Sequence, residues 1–316
     1  CEIRSDTPIC QPGLVAVPLC PPYKRHPPRP DYVITGASRG LGFEMVRYLS
    51  KHADNTIVRL VRNKAATEQK VAEELKDDAP AKIHIVAADM DSYDSLKNAA
   101  AETSFLTGGA IDYLIANAAY VPVGKEFFKP IGDVATDPEK LEADLNKMIK
   151  TNVTGNIFLY SLFMPLILMS QTKKVICITS GLAEVDTCNS SKAAMNLATC
   201  KFNAQYKKDG VLFIDICPGM VDHGNGIDPA TCTYTLNEYC PPLLPASLTK
   251  ITVTPEEMAQ AGELMGKFAA NFPDFKGPSQ SADTIPAIVK TWEDASLEKG
   301  HGGGFLPHTG IPGKWL

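Results

Sequence analysis

Thr35 to Gly42 reads TGASRGLG, directly after the apolar run Tyr32, Val33, Ile34 and directly before a helical pattern that opens Phe43, Met45, Val46, Leu49. The order is strand, glycine turn, helix. Glycines at 36, 40 and 42 permit a tight turn and close approach of backbone to a ligand. The unpaired N–H groups and positive dipole end of the following helix attract negative charge. Such a turn is a cradle for phosphate. A glycine run alone also suits a plain tight turn, so its neighbours must decide.

Outward from this turn, strand-like and helical runs alternate. Strand patterns fall at 32–35, 56–61, 82–87, 111–116, 174–179 and 211–216, with helical patterns over 64–76, 93–102, 138–170 and 190–207 between them. Repeated βα units predict a Rossmann-type, doubly wound parallel sheet in an α/β chain, whose ligands gather at the carboxyl ends of the strands. Residues 222–280, rich in Pro, Gly, Thr and Tyr in their first half, read as a C-terminal substrate lid on a single domain spanning 31–316. Helices over 255–270 and 283–295 and a last strand over 302–308 close that side. Residues 1–30 hold eight prolines and three cysteines without helical or strand period, the composition of a disordered extension. The start at Cys1 is read as a fragment, a processed chain or an imperfect gene boundary.

With 316 residues, 44% hydrophobic content and a formal charge of -5, the chain can bury a substantial core. It carries no basic block suited to nucleic acid or an anionic membrane surface. The apolar run 157–169 is shorter than the ~20 residues a bilayer span requires and reads as a buried helix. Nine cysteines lie scattered, without CxxC pairs or zinc spacing, so reduced thiols and a cytoplasmic setting are expected, and no metal. Cys177, Cys200 and Cys217 sit in apolar segments and read as small buried hydrophobes; Cys232 and Cys240 are close enough in sequence to pair if oxidised.

The strand ends carry TGASRGLG, then AADMDS, IANAA, ITSG and CPGMV, with KTNVTG and SSKAAMN between. This ordered set resembles the short-chain dehydrogenase/reductase family over roughly 31–221. The lid and the GGGF tail are most similar to its fungal carbonyl-reductase and ketoreductase members of the sniffer-like branch. The resemblance implies a dinucleotide site built from Gly36, Ser38, Arg39, Leu41, Arg62, Asp89, Met90, Asn117, Ala118, Lys192, Pro218, Gly219 and Val221. In it Asp89 meets the adenine amino group and Asn117 braces the nicotinamide ribose. Arginine after the second strand suits a 2′-phosphate where an acid would hold a 2′-hydroxyl. Arg62 stands there, Arg39 can reach the same group, and no Asp or Glu lies between Asn55 and Thr67, so NADP(H) is expected rather than NAD(H). The alternative leaves Arg39, Arg59 and Arg62 as solvated surface cations.

Reduction of a carbonyl requires a hydride source, a donor polarising the oxygen and an acid for the forming alkoxide. By resemblance Ser180 holds the substrate oxygen, Asn152 anchors a proton-relay water, and Lys192 grips the ribose and lowers the acid's pKa. The family's tyrosine belongs four residues before the lysine, one helical turn away on the same face, and there the chain has Cys188. A thiol donates weakly and reaches less far than a phenol. Ser180 and Cys188 are also only eight residues apart, closer than the family pattern. His223 stands where the resemblance leads to a threonine touching the nicotinamide amide. Tyr120, Tyr234 and Tyr239 are alternative phenols, though tyrosines in such places more often line a pocket.

Three readings follow: an NADPH-dependent carbonyl reductase of a small-molecule ketone or aldehyde; a nucleotide-binding protein that has lost turnover; and a splicing or annotation error over 185–189 that hides a complete active site. Leu145, Met148, Phe158 and Leu162, read as outer apolar positions, suit a homodimer bundle or core burial.

Overall fold

The computed structural model describes residues 30–75, 80–122, 131–183, 190–219, 221–222, 227–228, 233–235, 250–252, 259, 262, 266 and 279–309. Seven strands form its main sheet: β1 (Asp31–Thr35), β2 (Thr56–Val61), β3 (Lys82–Ala87), β4 (Tyr113–Ala116), β5 (Lys174–Ile178), β6 (Leu212–Cys217) and β7 (Phe305–Pro307). All pairings within it are parallel, in the order β7-β6-β5-β4-β1-β2-β3. The order reverses between β1 and β4, which opens a crevice at their carboxyl ends, the usual place for a ligand in such sheets.

The longer helices are α1 (Gly40–Leu49), α2 (Lys64–Glu74), α3 (Tyr93–Thr107), α4 (Pro138–Leu168), α5 (Ser190–Tyr206) and α6 (Ser281–Asp294), with a short single turn at Ile131–Val134. Because successive strand residues point to opposite faces, the apolar runs feed two cores. Ile34, Ile57, Ile115, Ile176 and Ile214 pack under α1 and α6 with Phe43, Met45, Ile288 and Trp292. Val33, Val58, Leu114, Val175 and Phe213 pack under α3, α4 and α5 with Leu96, Phe163 and Met195. Burial on both faces explains why these strands are continuously apolar rather than alternating.

α4 is long and apolar enough, by length and composition, to cross a membrane, yet half of its most apolar window is buried inside the protein. Leu159, Tyr160, Phe163, Met164 and Ile167 enter the second core, in keeping with the expected buried helix. Met148, expected as an outer position, is likewise buried. Phe158 and Leu162 are half-buried against that core, and Leu145 is half-buried.

The observed helices differ from expectation mainly at their ends, α2 stopping at Glu74 and α3 running on to Thr107, where Gly108 in left-handed conformation caps it. Of the helix expected over 255–270, residues 259, 262 and 266 are described, and all three are helical. Short strands pair at Ile227–Asp228, Thr233–Thr235 and Lys250–Thr252, and Ser279–Gln280 pairs with Val221–Asp222. The remainder of the expected lid, the extension 1–29, and the positions Cys188, His223, Cys232, Tyr239 and Cys240 lie outside the described residues.

Candidate active site

The glycine turn is held from below. Gly36 donates its N–H to Leu60 O at 3.0 Å and has φ +65, a left-handed conformation that a side chain would strain. A Cβ on Gly42 would stand 2.5 Å from Gly36 O and 2.6 Å from Asn117 Nδ2, so only glycine lets α1 approach the turn. On the other side nothing lies within 4 Å of where a Cβ on Gly40 would stand. Arg39, in extended conformation at the N-cap, gives α1 no side-chain cap, and the first turn holds no acid. The helix therefore presents N–H groups and a positive dipole end to this open side, and its residues fit a dinucleotide's pyrophosphate.

Arg62, just past β2, is exposed, and Arg39 is half-buried; both stand at the carboxyl edge where the resemblance puts a 2′-phosphate. Arg59 departs from the surface-cation reading. It is 0% exposed, because β2 is covered on both faces and its side chain points inward beneath the turn. Its Nε donates to Ala37 O at 3.1 Å, Nη2 donates to the same oxygen, and the guanidinium lies 5.0 Å from the Phe43 ring centre.

Thr35 joins the turn to the end of β4. Its Oγ1 accepts from the N–H groups of Asn117 and Ala118, both at 2.9 Å, while Asn117 Nδ2 donates to Thr35 O at 3.0 Å and Gly36 O at 3.3 Å. Asn117 thus braces the sheet edge. Thr35→Val keeps the shape but strips both N–H groups of their acceptor. The expected loss, read by denaturant unfolding, is about 1–3 kcal/mol, and an unchanged midpoint would contradict this role.

After β3, Asp89 is half-buried and its Oδ1 accepts from Asp91 N–H at 3.0 Å, while Met90 is buried. A Cβ on Gly155 would come within 2.4 Å of Met90 O, so α4 packs directly on this loop. Asp91 accepts from Lys147 Nζ and Thr151 Oγ1, which holds its carboxyl below the usual range against the opposing effect of burial.

Within α4 the segment Ile149–Thr154 is a turn of π-helix, a form that is rare and recurrent at functional sites. It turns Asn152, 3% exposed, toward the loop after β4. Asn152 Oδ1 accepts from Tyr120 N–H at 2.6 Å, and Nδ2 donates to Tyr120 O at 2.8 Å and to Ser191 Oγ at 3.0 Å. One side chain thereby ties β4, α4 and α5 together. Tyr120 directs its hydroxyl to Asp144 Oδ1 at 3.5 Å.

Beside Ser191, Lys192 donates to Ile178 O at 2.7 Å, placing its ammonium at the carboxyl end of β5 next to Thr179 and Ser180. Burial lowers its pKa, with Cys177, Asp215 and Cys217 opposing. Ser180 is half-buried at that strand end. Pro218 is buried, and Gly219, with φ +80, packs so closely under His308 that a Cβ would lie 2.7 Å from Cε1. Val221 is half-buried beside them. The carboxyl ends of β1, β4, β5 and β6 thus bring the glycine turn, Asn117, Ser180, Lys192 and Gly219 to one edge.

Beneath Lys192 lies a polar group that no motif marked. Asp215 in β6 is 1% exposed, pairs in register with Cys177 of β5, and burial lifts its carboxyl to about 8, with Thr199, Cys177 and Lys192 opposing the shift. A carboxylate letter inside the apolar run LFIDIC was the available signal. Cys177 and Cys217 are buried as expected, but Cys200 lies on an exposed position of α5, where it donates to Gly303 O at 3.0 Å.

The model of the short chain dehydrogenase family matches residues 32–228. The short chain dehydrogenase virK of Hypocrea virens is 44% identical over 300 residues, covering 91% of this chain and 100% of that protein. The chain belongs to the short-chain dehydrogenase family. The short-chain dehydrogenase/reductase iacC of Pestalotiopsis fici is 41% identical, covering 90% of this chain and 99% of its own. Among solved structures, the NADPH-bound carbonyl reductase from chicken fatty liver superposes with a TM-score of 0.60 at 18% identity, covering 91% of this chain and 99% of that one. The carbonyl reductase Sniffer of D. melanogaster gives 0.61, also at 18% identity, covering 90% and 98%. These two establish the shared fold. As a short-chain dehydrogenase the chain is an oxidoreductase acting with a nicotinamide cofactor on small molecules.

Proposed function

We propose that this short-chain dehydrogenase is an NADPH-dependent reductase of a small ketone or aldehyde. The observation that carries the reading is the single edge joining an uncapped, acid-free glycine turn to Lys192 and Ser180. When bound, the cofactor supplies the hydride. Arg39 and Arg62 favour a 2′-phosphate, and no acid between Asn55 and Thr67 repels one. Ser180 polarises the carbonyl oxygen. Lys192, held by Ile178 O, keeps its proton loosely because its charged form is poorly solvated, which suits a group that supports proton delivery. Asn152 fixes the frame around it. Both carbonyl reductases share this fold, and the chicken liver protein holds NADPH.

The second reading, nucleotide binding without turnover, is favoured by Cys188 in the position of the family's tyrosine. Oxidation of NADPH over a panel of ketones and aldehydes separates the two, run on this chain and on Cys188→Tyr. Turnover by this chain, raised by about 100-fold in the variant through a competent acid, is the expected result. Tight NADPH binding with no turnover in either protein would overturn the reductase reading and leave the binding one.

A further inference from the structure

Among the described residues, no carboxylate is bonded to the buried cation Arg59. Its Nη1 has no hydrogen-bond partner among them, while Nε and Nη2 share one neutral acceptor, Ala37 O, inside the glycine turn. Neighbouring strands place Ile34 and Ile85 alongside. Around the Phe43 ring stand two further cations, Arg47 at 5.2 Å and Lys70 at 4.6 Å. Acids on these helices engage other groups: Glu74 bonds Arg47 Nη2 at 3.0 Å and lies 3.7 Å from Lys70, Glu44 lies 3.7 Å from Arg47, and Glu73 accepts from Gln69 Nε2 at 3.0 Å. Glu74 favours the charged form of Arg59, but burial dominates and lowers the guanidinium to about 10, which leaves it charged at neutral pH. Holding an uncompensated charge in a low-dielectric interior costs stability. A guanidinium grips a carbonyl through its planar fork, and its field reaches through the turn it grips.

We propose that Arg59 is a positioning residue whose buried charge is balanced by the ligand: it fixes Ala37 in the glycine turn and acts from beneath on the phosphate groups seated above. The proposal rests on the dinucleotide reading given above. The chain would then fold with an unbalanced cation and gain the missing negative charge on binding. Arg59 is sealed from the surface and would act without touching the ligand, which separates it from Arg39 and Arg62.

Two substitutions isolate the charge from the hydrogen bond. Arg59→Gln is neutral and can still donate to Ala37 O; Arg59→Lys keeps the charge. Calorimetric titration with NADPH and NADH, together with thermal unfolding of the ligand-free proteins, reads both effects. Arg59→Gln is expected to weaken NADPH binding by about tenfold or more, as for loss of a charged partner, while ligand-free unfolding stays put or rises because a buried charge has gone. Arg59→Lys, which keeps a positive charge but gives up the planar fork, should bind NADPH more tightly than Arg59→Gln. Equal loss for both dinucleotides assigns the field to the pyrophosphate, and a loss confined to NADPH assigns it to the 2′-phosphate; either supports the proposal. Arg59→Gln binding as tightly as the unsubstituted chain, Arg59→Lys as weak as Arg59→Gln, or neither variant folding would overturn it. The last result would mean that the cation holds the ligand-free fold. If the unsubstituted chain prefers NADH, the NADPH assignment fails while the Arg59 comparison is read with NADH; if it binds neither, both fall.

Discussion

Asp215→Asn is expected to remove a downward slope in stability between about pH 4 and pH 8. In the folded chain the Asp215 carboxyl is pushed up to about 8, from an ordinary value of 3.8. Between those values the folded state holds a proton that the unfolded state has released, so unfolding is favoured as pH rises. The slope approaches about 1.4 kcal/mol per pH unit, or on the order of 3 °C in the unfolding midpoint. The penalty is absent below the unfolded value and complete above the folded one. Asparagine occupies the same volume and never ionises. His84 and His308, whose pKa values burial lowers, act in the opposite sense, adding stability above their unfolded value that is lost as pH falls. The useful quantity is therefore the difference between the two proteins across a pH series. A constant difference from pH 5 to pH 8 would show that Asp215 is ionised throughout.

Lys192→Met is expected to reduce carbonyl turnover by about 100-fold to 10,000-fold, the range supplied by positioned proton transfer. Methionine keeps an unbranched stem of similar length and packs where the lysine stem packs, but gives up the bond to Ile178 O and the positive charge. Loss of a poorly solvated ammonium costs the fold little, so unfolding should shift less than turnover. Single-turnover rates at saturating NADPH separate chemistry from binding, since the lysine is also assigned to the cofactor's ribose. A variant retaining more than about a tenth of the unsubstituted rate would leave Lys192 without a role in proton delivery.

Much of this arrangement was legible in the sequence because parallel strands buried on both faces write themselves as apolar runs. Residues 56–61 and 82–87 match β2 and β3 to the residue. The glycine turn was legible for a different reason: Gly36 and Gly42 answer steric demands that other residues cannot meet. Asp215, and Arg59 as a buried rather than a surface cation, were the informative oversights. Each is a charged letter inside an apolar strand, and in a sheet covered on both faces such a side chain has no route to solvent. The period alone, read strand by strand, says nothing of the covering helices. The π turn at Ile149–Thr154 was invisible for another reason. One extra residue per turn leaves no compositional mark, and the 138–170 pattern read as an uninterrupted helix. Asn152 was found through the KTNVTG resemblance, but its grip on Tyr120 runs through backbone atoms, which no residue letter encodes.

The bonds linking Gly36 to Asn117, Thr35 to Ala118, Tyr120 to Asn152 and Asn152 to Ser191 run almost without interruption from the glycine turn to the start of α5. They form a hydrogen-bonded beam along the rim of the sheet that exists before anything binds. A dinucleotide laid along it need not organise its own floor, so the entropy lost on association falls mainly on the ligand. Arrival at such a rim should be fast and nearly insensitive to protein rearrangement there, leaving departure as the step through which substitutions along the beam tune affinity.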